Sequence, residues 1–224
     1  MGNVREINED NLAAVPEHSL WVVADGMGGH EKGELASAIA VKAVAGGVAR
    51  GLGLEEAVRK AHEEVLAAKD ARPGMGSTVV ALHFSEREYT VVWVGDSRAY
   101  LWDGRLWPLT RDHSLVQQLM DSGAINAQEA ESHPQRSVIT QAVGVAGKGG
   151  VKPGVRRGRL YRGEQILLCS DGLFKDLTEE EIEEIVCEGS CMDVCDRLID
   201  TVLGRECADN VTVVVVEFNE TTGG

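Results

Sequence analysis

Four aspartates in this sequence occupy one kind of position. Asp25 follows the apolar run Leu20 to Ala24, Asp96 follows Tyr89 to Gly95, Asp171 follows Gln165 to Ser170, and Asp209 precedes Asn210 to Phe218. Each lies at the edge of a run that reads as a buried strand. If those strands lie in packed sheets, their ends can bring the carboxylates together, and mutual repulsion then raises the pKa values unless cations fill the gap. Oxygen-only donors suit Mg²⁺ or Mn²⁺, whereas zinc favours Cys or His at ligand spacing, which Cys169 alone does not supply. Two such ions about 3.5–4 Å apart can share a water, acidify it and aim it in line at phosphorus without a covalent phosphoenzyme. An Asp-Gly pair is more often a turn than a ligand, as at Asp103-Gly104, so one aspartate alone carries little. The repetition at strand edges carries the reading.

The elements that must position these acids follow from periodicity. Leu20 to Ala24 reads as a buried strand meeting a turn at Asp25-Gly26. From Leu54, residues Leu54, Ala57, Val58, Ala61, Val65 and Leu66 share one helical face, with Glu55, Glu56, Arg59, Lys60, Glu63 and Glu64 opposite. Strands are expected over Thr78 to Phe84, Tyr89 to Val94, Ala99 to Trp102 and Gln165 to Cys169, with a hairpin at Asp103-Gly104. Residues 111–136 are polar, with short helical stretches around Leu115 to Met120 and Ala127 to Ala130, and read as an inserted flap. Thr178 and Glu181 form a capping box for a helix carrying Ile182, Ile185 and Val186; Ser190 and Asp193 repeat it before a helix burying Val194, Leu198, Ile199 and Val202. Val211 to Phe218 has the composition of a central strand. Gly144 to Gly150 reads as a mobile loop. The elements do not alternate regularly, which favours sheets packed together with helices outside over a doubly wound parallel sheet.

The 224 residues contain no repeat or Pro-rich linker, and a single domain over 1–224 is the expectation. A net charge of −14, from 36 acidic and 22 basic residues, argues against nucleic acid or an anionic membrane as partner. A phosphorylated substrate would need help from cations. Five irregularly placed cysteines, a start at Met1-Gly2-Asn3-Val4-Arg5 without an apolar signal core, and no apolar run of spanning length lead to the expectation of a reducing, cytoplasmic setting.

The residues around these acids form six ordered motifs: Arg5-Glu6-Ile7-Asn8-Glu9-Asp10, Asp25-Gly26-Met27-Gly28-Gly29-His30, Gly95-Asp96-Ser97-Arg98-Ala99-Tyr100, Asp112-His113-Ser114, Cys169-Ser170-Asp171-Gly172-Leu173 and Asp209-Asn210-Val211-Thr212. On these motifs the chain resembles, nearly end to end, the PPM/PP2C family of protein phosphatases, particularly its small bacterial members. The resemblance implies an α+β fold, an α-β-β-α sandwich of two mainly antiparallel sheets flanked by helices, with the metals in a cleft at one end. It implies a protein serine/threonine phosphatase using two Mn²⁺ or Mg²⁺ ions, acting on phosphoserine and phosphothreonine proteins. By the same resemblance Asp25 bridges both ions, Asp10 and the Gly26 carbonyl serve one, and Asp171 and Asp209 the other, with Glu9 near Asp10. Asp96 resembles the family's ligand for a more weakly held third ion, shared with Asp171.

Arg5 matches the family's phosphate-binding arginine, and a guanidinium fork suits two phosphate oxygens. Family members carry several more residues before this motif, so Arg5 is expected to be less firmly anchored. Eukaryotic relatives often place a histidine where this chain has Met27; for His30, as in bacterial relatives, substrate binding, leaving-group protonation and a plain loop role stay open. Ser114 and the segment to His133 resemble the flap that influences substrate choice. A partner Ser/Thr kinase completes what the resemblance implies, and a monomer is the default expectation.

Other chemistries fit less well. Cys191 and Arg197 have the C-x5-R spacing of cysteine phosphatases, but Asp193 and Asp196 between them would repel phosphate and no glycine frees the amides. Cys187, Cys191 and Cys195 read as partly buried small side chains. Adjacent Asp112-His113-Ser114 cannot be assumed to converge as a triad. Gly144 to Lys148 is too short for a Walker loop. Two alternatives remain: a noncatalytic phosphoprotein-binding module on this fold, and a metal-dependent hydrolase of other phosphate esters.

Overall fold

The computed structural model describes residues 7–29, 31–68, 74–145, 150–205 and 207–219. In chain order the strands are β1 (Asp10–Val15), β2 (Leu20–Met27), β3 (Gly76–Ser77), β4 (Val79–Ser85), β5 (Glu88–Val94), β6 (Arg98–Trp102), β7 (Leu106–Pro108), β8 (Gly154–Arg159), β9 (Gln165–Cys169) and β10 (Val213–Glu217). The helices are α1 (Glu31–Ala49), α2 (Leu54–Ala67), α3 (Leu115–Asp121), α4 (Ala127–Glu131), α5 (Asp171–Phe174), α6 (Glu179–Val186) and α7 (Cys191–Leu203). Strands β1, β2, β4, β5 and β8 lie side by side in one sheet, with β3 pairing β2; β10, β9, β6 and β7 form the second. Every strand pairing is antiparallel.

Period-two alternation explains how two sheets make three layers of core. In β2, Leu20, Val22 and Ala24 turn towards α1 and α2, while Val23 turns to the second sheet. In β4, Val79 and Ala81 join the first layer and Val80 and Leu82 the middle one. In β9, Ile166 and Leu168 fill the middle layer, while Leu167 and Cys169 pack under α5, α6 and α7 with Leu173, Ile182, Val194 and Leu198. Strands buried on both faces need near-continuous apolar runs, which is why β2, β4, β5 and β9 are so readable. The capping boxes at Thr178–Glu181 and Ser190–Asp193 form as expected and start α6 and α7. The architecture is the expected helix–sheet–sheet–helix sandwich.

Two local expectations need correction. Asp25-Gly26 is not a turn: β2 runs through both residues, held by β1 on one side and β3 on the other, and the chain turns at Gly28 and Gly29, both at positive φ. The Val-rich run near the C-terminus is not a central strand. β10 is the edge of the second sheet, and its valines are consumed by the middle layer on one face and α7 on the other. The glycine-rich stretch lies partly outside the described residues, at 146–149.

Candidate metal centre

Register sets the first two acids. Asp10 opens β1 and pairs with Asp25 across the ladder, so their side chains leave one end of the first sheet together. The second sheet ends at the same place. Cys169, the last residue of β9, is flanked by Arg98 of β6 and Val213 of β10, which puts Asp171, Asp96 and Asp209 beyond that rim.

Hydrogen bonds close one rim on the other. Asp10 Oδ2 accepts from Ser170 Oγ and from Thr212 Oγ1, both at 2.7 Å, and Glu9 N donates to Asn210 Oδ1 at 2.9 Å. Asp25 N donates to Thr78 Oγ1 at 2.9 Å, and that hydroxyl shares a 2.6 Å bond with Ser97 Oγ beside Asp96. Close backbone approach demands glycine twice. A Cβ on Gly26 would fall 2.0 Å from the Gly33 carbonyl oxygen, and one on Gly172 would fall 2.0 Å from that of Asn210.

Electrostatics show how tightly the acids are gathered. Burial raises Asp25 well above the ordinary carboxylate range, and the charges of Asp171, Asp10, Asp96 and Asp209 raise it further. Asp96 is pushed up to about 7, first by burial and then by Asp171 and Asp112. Asp10 reaches about 6: burial dominates, the Ser170 and Thr212 hydroxyls pull it back, and Asp171 and Asp209 push it up. Asp171 is raised by burial against the pull of Lys175. Five carboxylates from five places in the sequence therefore feel one another as like charges, and a cation is the natural remedy.

The donor set fits a hard divalent cation. Asp10 Oδ1 and Asp171 Oδ1 are buried and have no hydrogen-bond partner among the described residues, a costly state for carboxylate oxygens unless a cation reaches them. No thiolate competes, because Cys169 is wholly buried under the outer helices and its thiol is pushed up to about 12. Oxygen ligands alone suit Mg²⁺ or Mn²⁺. As they stand, no three His, Cys, Asp or Glu side chains among the described residues are arranged to hold an ion. The Lys175 ammonium lies 2.5 Å from Asp171 Oδ2 and 2.9 Å from Asp209 Oδ2. Burial alone would lower its pKa, but the two carboxylates outweigh that and hold it above the ordinary lysine value.

Of the residues singled out in the sequence, Asp10, Asp25, Gly26, Asp96, Asp171 and Asp209 come together at this rim. Arg5 and His30 lie outside the described residues. Ser114 is buried, and its hydroxyl caps α3 by accepting from Gln117 N at 3.2 Å. The sequence reading missed Lys175, Ser170 and Thr212 as parts of the site. It also missed Arg98, which grips Asp112 at the base of the 111–136 segment with two nitrogens and lies 3.8 Å over the Phe174 ring of α5. The i, i+4 spacing of Asp171 and Lys175 on a helix was the available signal for the lysine. The cysteine-phosphatase spacing dissolves: Cys191 and Arg197 sit on α7, Arg197 donates to the Ile185 and Glu188 carbonyls, and burial raises the Cys191 thiol.

Comparison with known proteins shows the family and the fold. The family profile described as protein phosphatase 2C matches residues 4–206. The serine/threonine protein phosphatase PstP of Mycobacterium tuberculosis is 39% identical over 229 residues, covering 96% of this chain and 43% of the relative; the chain thus spans under half the length of that relative. The serine/threonine phosphatase stp of Listeria monocytogenes is 32% identical over 241 residues, covering 100% of this chain and 95% of the relative. The crystal structure of the catalytic domain of PstP in complex with two manganese ions superposes with a TM-score of 0.84 at 35% identity, covering 96% of this chain and 94% of that one.

Proposed function

The chain belongs to the protein phosphatase 2C family, and from that premise we propose that it is a metal-dependent protein serine/threonine phosphatase. The observation that carries the reading is the gathering of Asp10, Asp25, Asp96, Asp171 and Asp209 at one rim, with buried carboxylate oxygens on Asp10 and Asp171 that lack partners among the described residues. Asp25 would bridge two ions, with Asp10 and the Gly26 carbonyl holding one and Asp171 and Asp209 the other; Asp96, with Asp171, is suited to a further, weaker one. Bound there, Mn²⁺ or Mg²⁺ supplies Lewis acidity, lowering the pKa of water and neutralising charge on the phosphoryl oxygens.

The protein's own residues supply positioning. Ser170 and Thr212 fix one oxygen of Asp10, leaving the other for a ligand. The Thr78–Ser97 bond fixes the spacing between Asp25 and the Asp96 loop. Arg98 ties the base of the 111–136 flap to α5, so the flap and the Asp171 helix keep a constant relation. Arg5 is assigned to the substrate phosphate and His30 to substrate binding, while Ser114 shapes the flap from its capping position. The substrates are phosphoserine and phosphothreonine proteins, and a Ser/Thr kinase is the opposing activity. We further propose a cytoplasmic setting and a monomeric state. No helix among the described residues is long and apolar enough to cross a membrane.

Release of inorganic phosphate from phosphoserine and phosphothreonine peptides tests this. Turnover is expected with Mn²⁺ or Mg²⁺, abolished by EDTA and restored by added metal. Metal binding without any turnover would instead support a noncatalytic phosphoprotein-binding module.

A further inference from the structure

Lys175 is the one basic side chain that the described structure places against two of the proposed ligands. Its position follows from local geometry: Asp171 opens α5, Lys175 follows four residues later, and an i, i+4 pair on a helix meets on one face. The same ammonium reaches Asp209, 34 residues away in sequence, at 2.9 Å. Two carboxylates that repel each other are therefore clasped by one internal cation. Asp171 Oδ2 is taken by it while Oδ1, buried, has no partner among the described residues.

We infer that Lys175 is a resident counterion of the Asp171–Asp209 pair, which holds the metal-free site together and must withdraw before a divalent ion can bind. The inference rests on the metal reading above and adds a regulator of loading to it. An ammonium clasping both carboxylates opposes a dication on the same oxygens through like charge and by occupying the space. The metal-competent arrangement is then only a fraction of the metal-free population, and apparent affinity is reduced by that fraction. A site clasped for nine parts in ten binds about tenfold more weakly than its intrinsic constant. The lysine side chain is 39% exposed, so its withdrawal leads towards solvent.

The test compares wild type with Lys175→Met and Lys175→Gln at one pH. Mn²⁺ binding to the chelated and dialysed proteins is measured by calorimetry, and melting is followed in EDTA. Both neutral variants should bind Mn²⁺ about tenfold more tightly while melting lower than wild type without metal. Loss of the metal-free fold that Mn²⁺ restores is the same result in stronger form. Unchanged or weaker Mn²⁺ binding in the variants, with wild-type binding intact, overturns the counterion role and leaves the metal reading standing. Failure of every form to bind Mn²⁺ overturns the metal reading and this inference with it.

Discussion

Thr212→Val is the sharpest probe of how the fold prepares Asp10. Thr212 Oγ1 donates to Asp10 Oδ2 at 2.7 Å in a buried setting, and valine removes that hydroxyl while nearly preserving shape. Thr212 N keeps its 2.9 Å bond to Ser170 Oγ, so the two rims stay joined. A hydrogen bond to a charged group contributes about 1.5–3 kcal/mol, and in a chain of this length each kcal/mol moves the melting midpoint by about 2–4 °C. The chelated variant should therefore melt on the order of 5 °C lower when assayed near pH 8, above the Asp10 pKa of about 6, where the carboxylate is charged. With Asp10 held by Ser170 alone, its second oxygen is less well fixed, and Mn²⁺ affinity should fall by about tenfold, equivalent to 1.4 kcal/mol. Melting in EDTA and calorimetric titration with Mn²⁺ read the two effects separately. A lower melting point with undiminished Mn²⁺ affinity would refute the claim that this hydroxyl presents Asp10 to an ion.

Three further outcomes follow from the same site. Asp25→Asn should lower peptide dephosphorylation by orders of magnitude yet raise the melting point of the chelated protein, because it removes a charge opposed by four other aspartates; a lower melting point in EDTA would contradict this. In the chelated protein Asp96 has a folded pKa of about 7, above its ordinary value of 3.8, so its contribution to stability is fully present below about pH 4 and is lost as pH rises through 7. Asp96→Asn should thus stabilise the chelated protein relative to wild type at alkaline pH and not at acid pH, and a melting difference independent of pH would count against it. Gly172→Ala drives a methyl to 2.0 Å from the Asn210 carbonyl oxygen, so Mn²⁺ affinity and activity should fall together; wild-type values for both would show that the Asp171 and Asp209 segments need not pack so closely.

The sandwich was legible wherever burial on both faces forces an unbroken apolar run, as in β2, β4, β5 and β9. It was not legible at the margins. Strand β8, with Arg156, Arg157 and Arg159 exposed, carries the charge expected of an edge and little strand signal. Strand β1 has Asp10 as its one buried residue, leaves Leu12 exposed and carries two alanines, which are weak strand formers, so it gave little strand signal. The turn expected at Asp25-Gly26 failed because the glycine serves close approach to Gly33, not reversal of the chain. Asp25, Asp96, Asp171 and Asp209 were visible because each borders an apolar run in the sequence, although Asp25 lies inside β2 and Asp209 stands apart from the start of β10. Their supports were not, since Ser170 and Thr212 reach Asp10 across 160 and 202 residues of sequence, and periodicity says nothing about contacts of that range.

The central claim is that these carboxylates share a pair of metal ions, and anomalous diffraction from crystals loaded with Mn²⁺ tests it most directly. The account predicts two manganese peaks about 3.5–4 Å apart, with Asp25 touching both, Asp10 on one side, Asp171 and Asp209 on the other, and the Lys175 ammonium withdrawn from both carboxylates. Manganese bound only elsewhere on the protein, or none with Lys175 still between Asp171 and Asp209 at saturating metal, would contradict it.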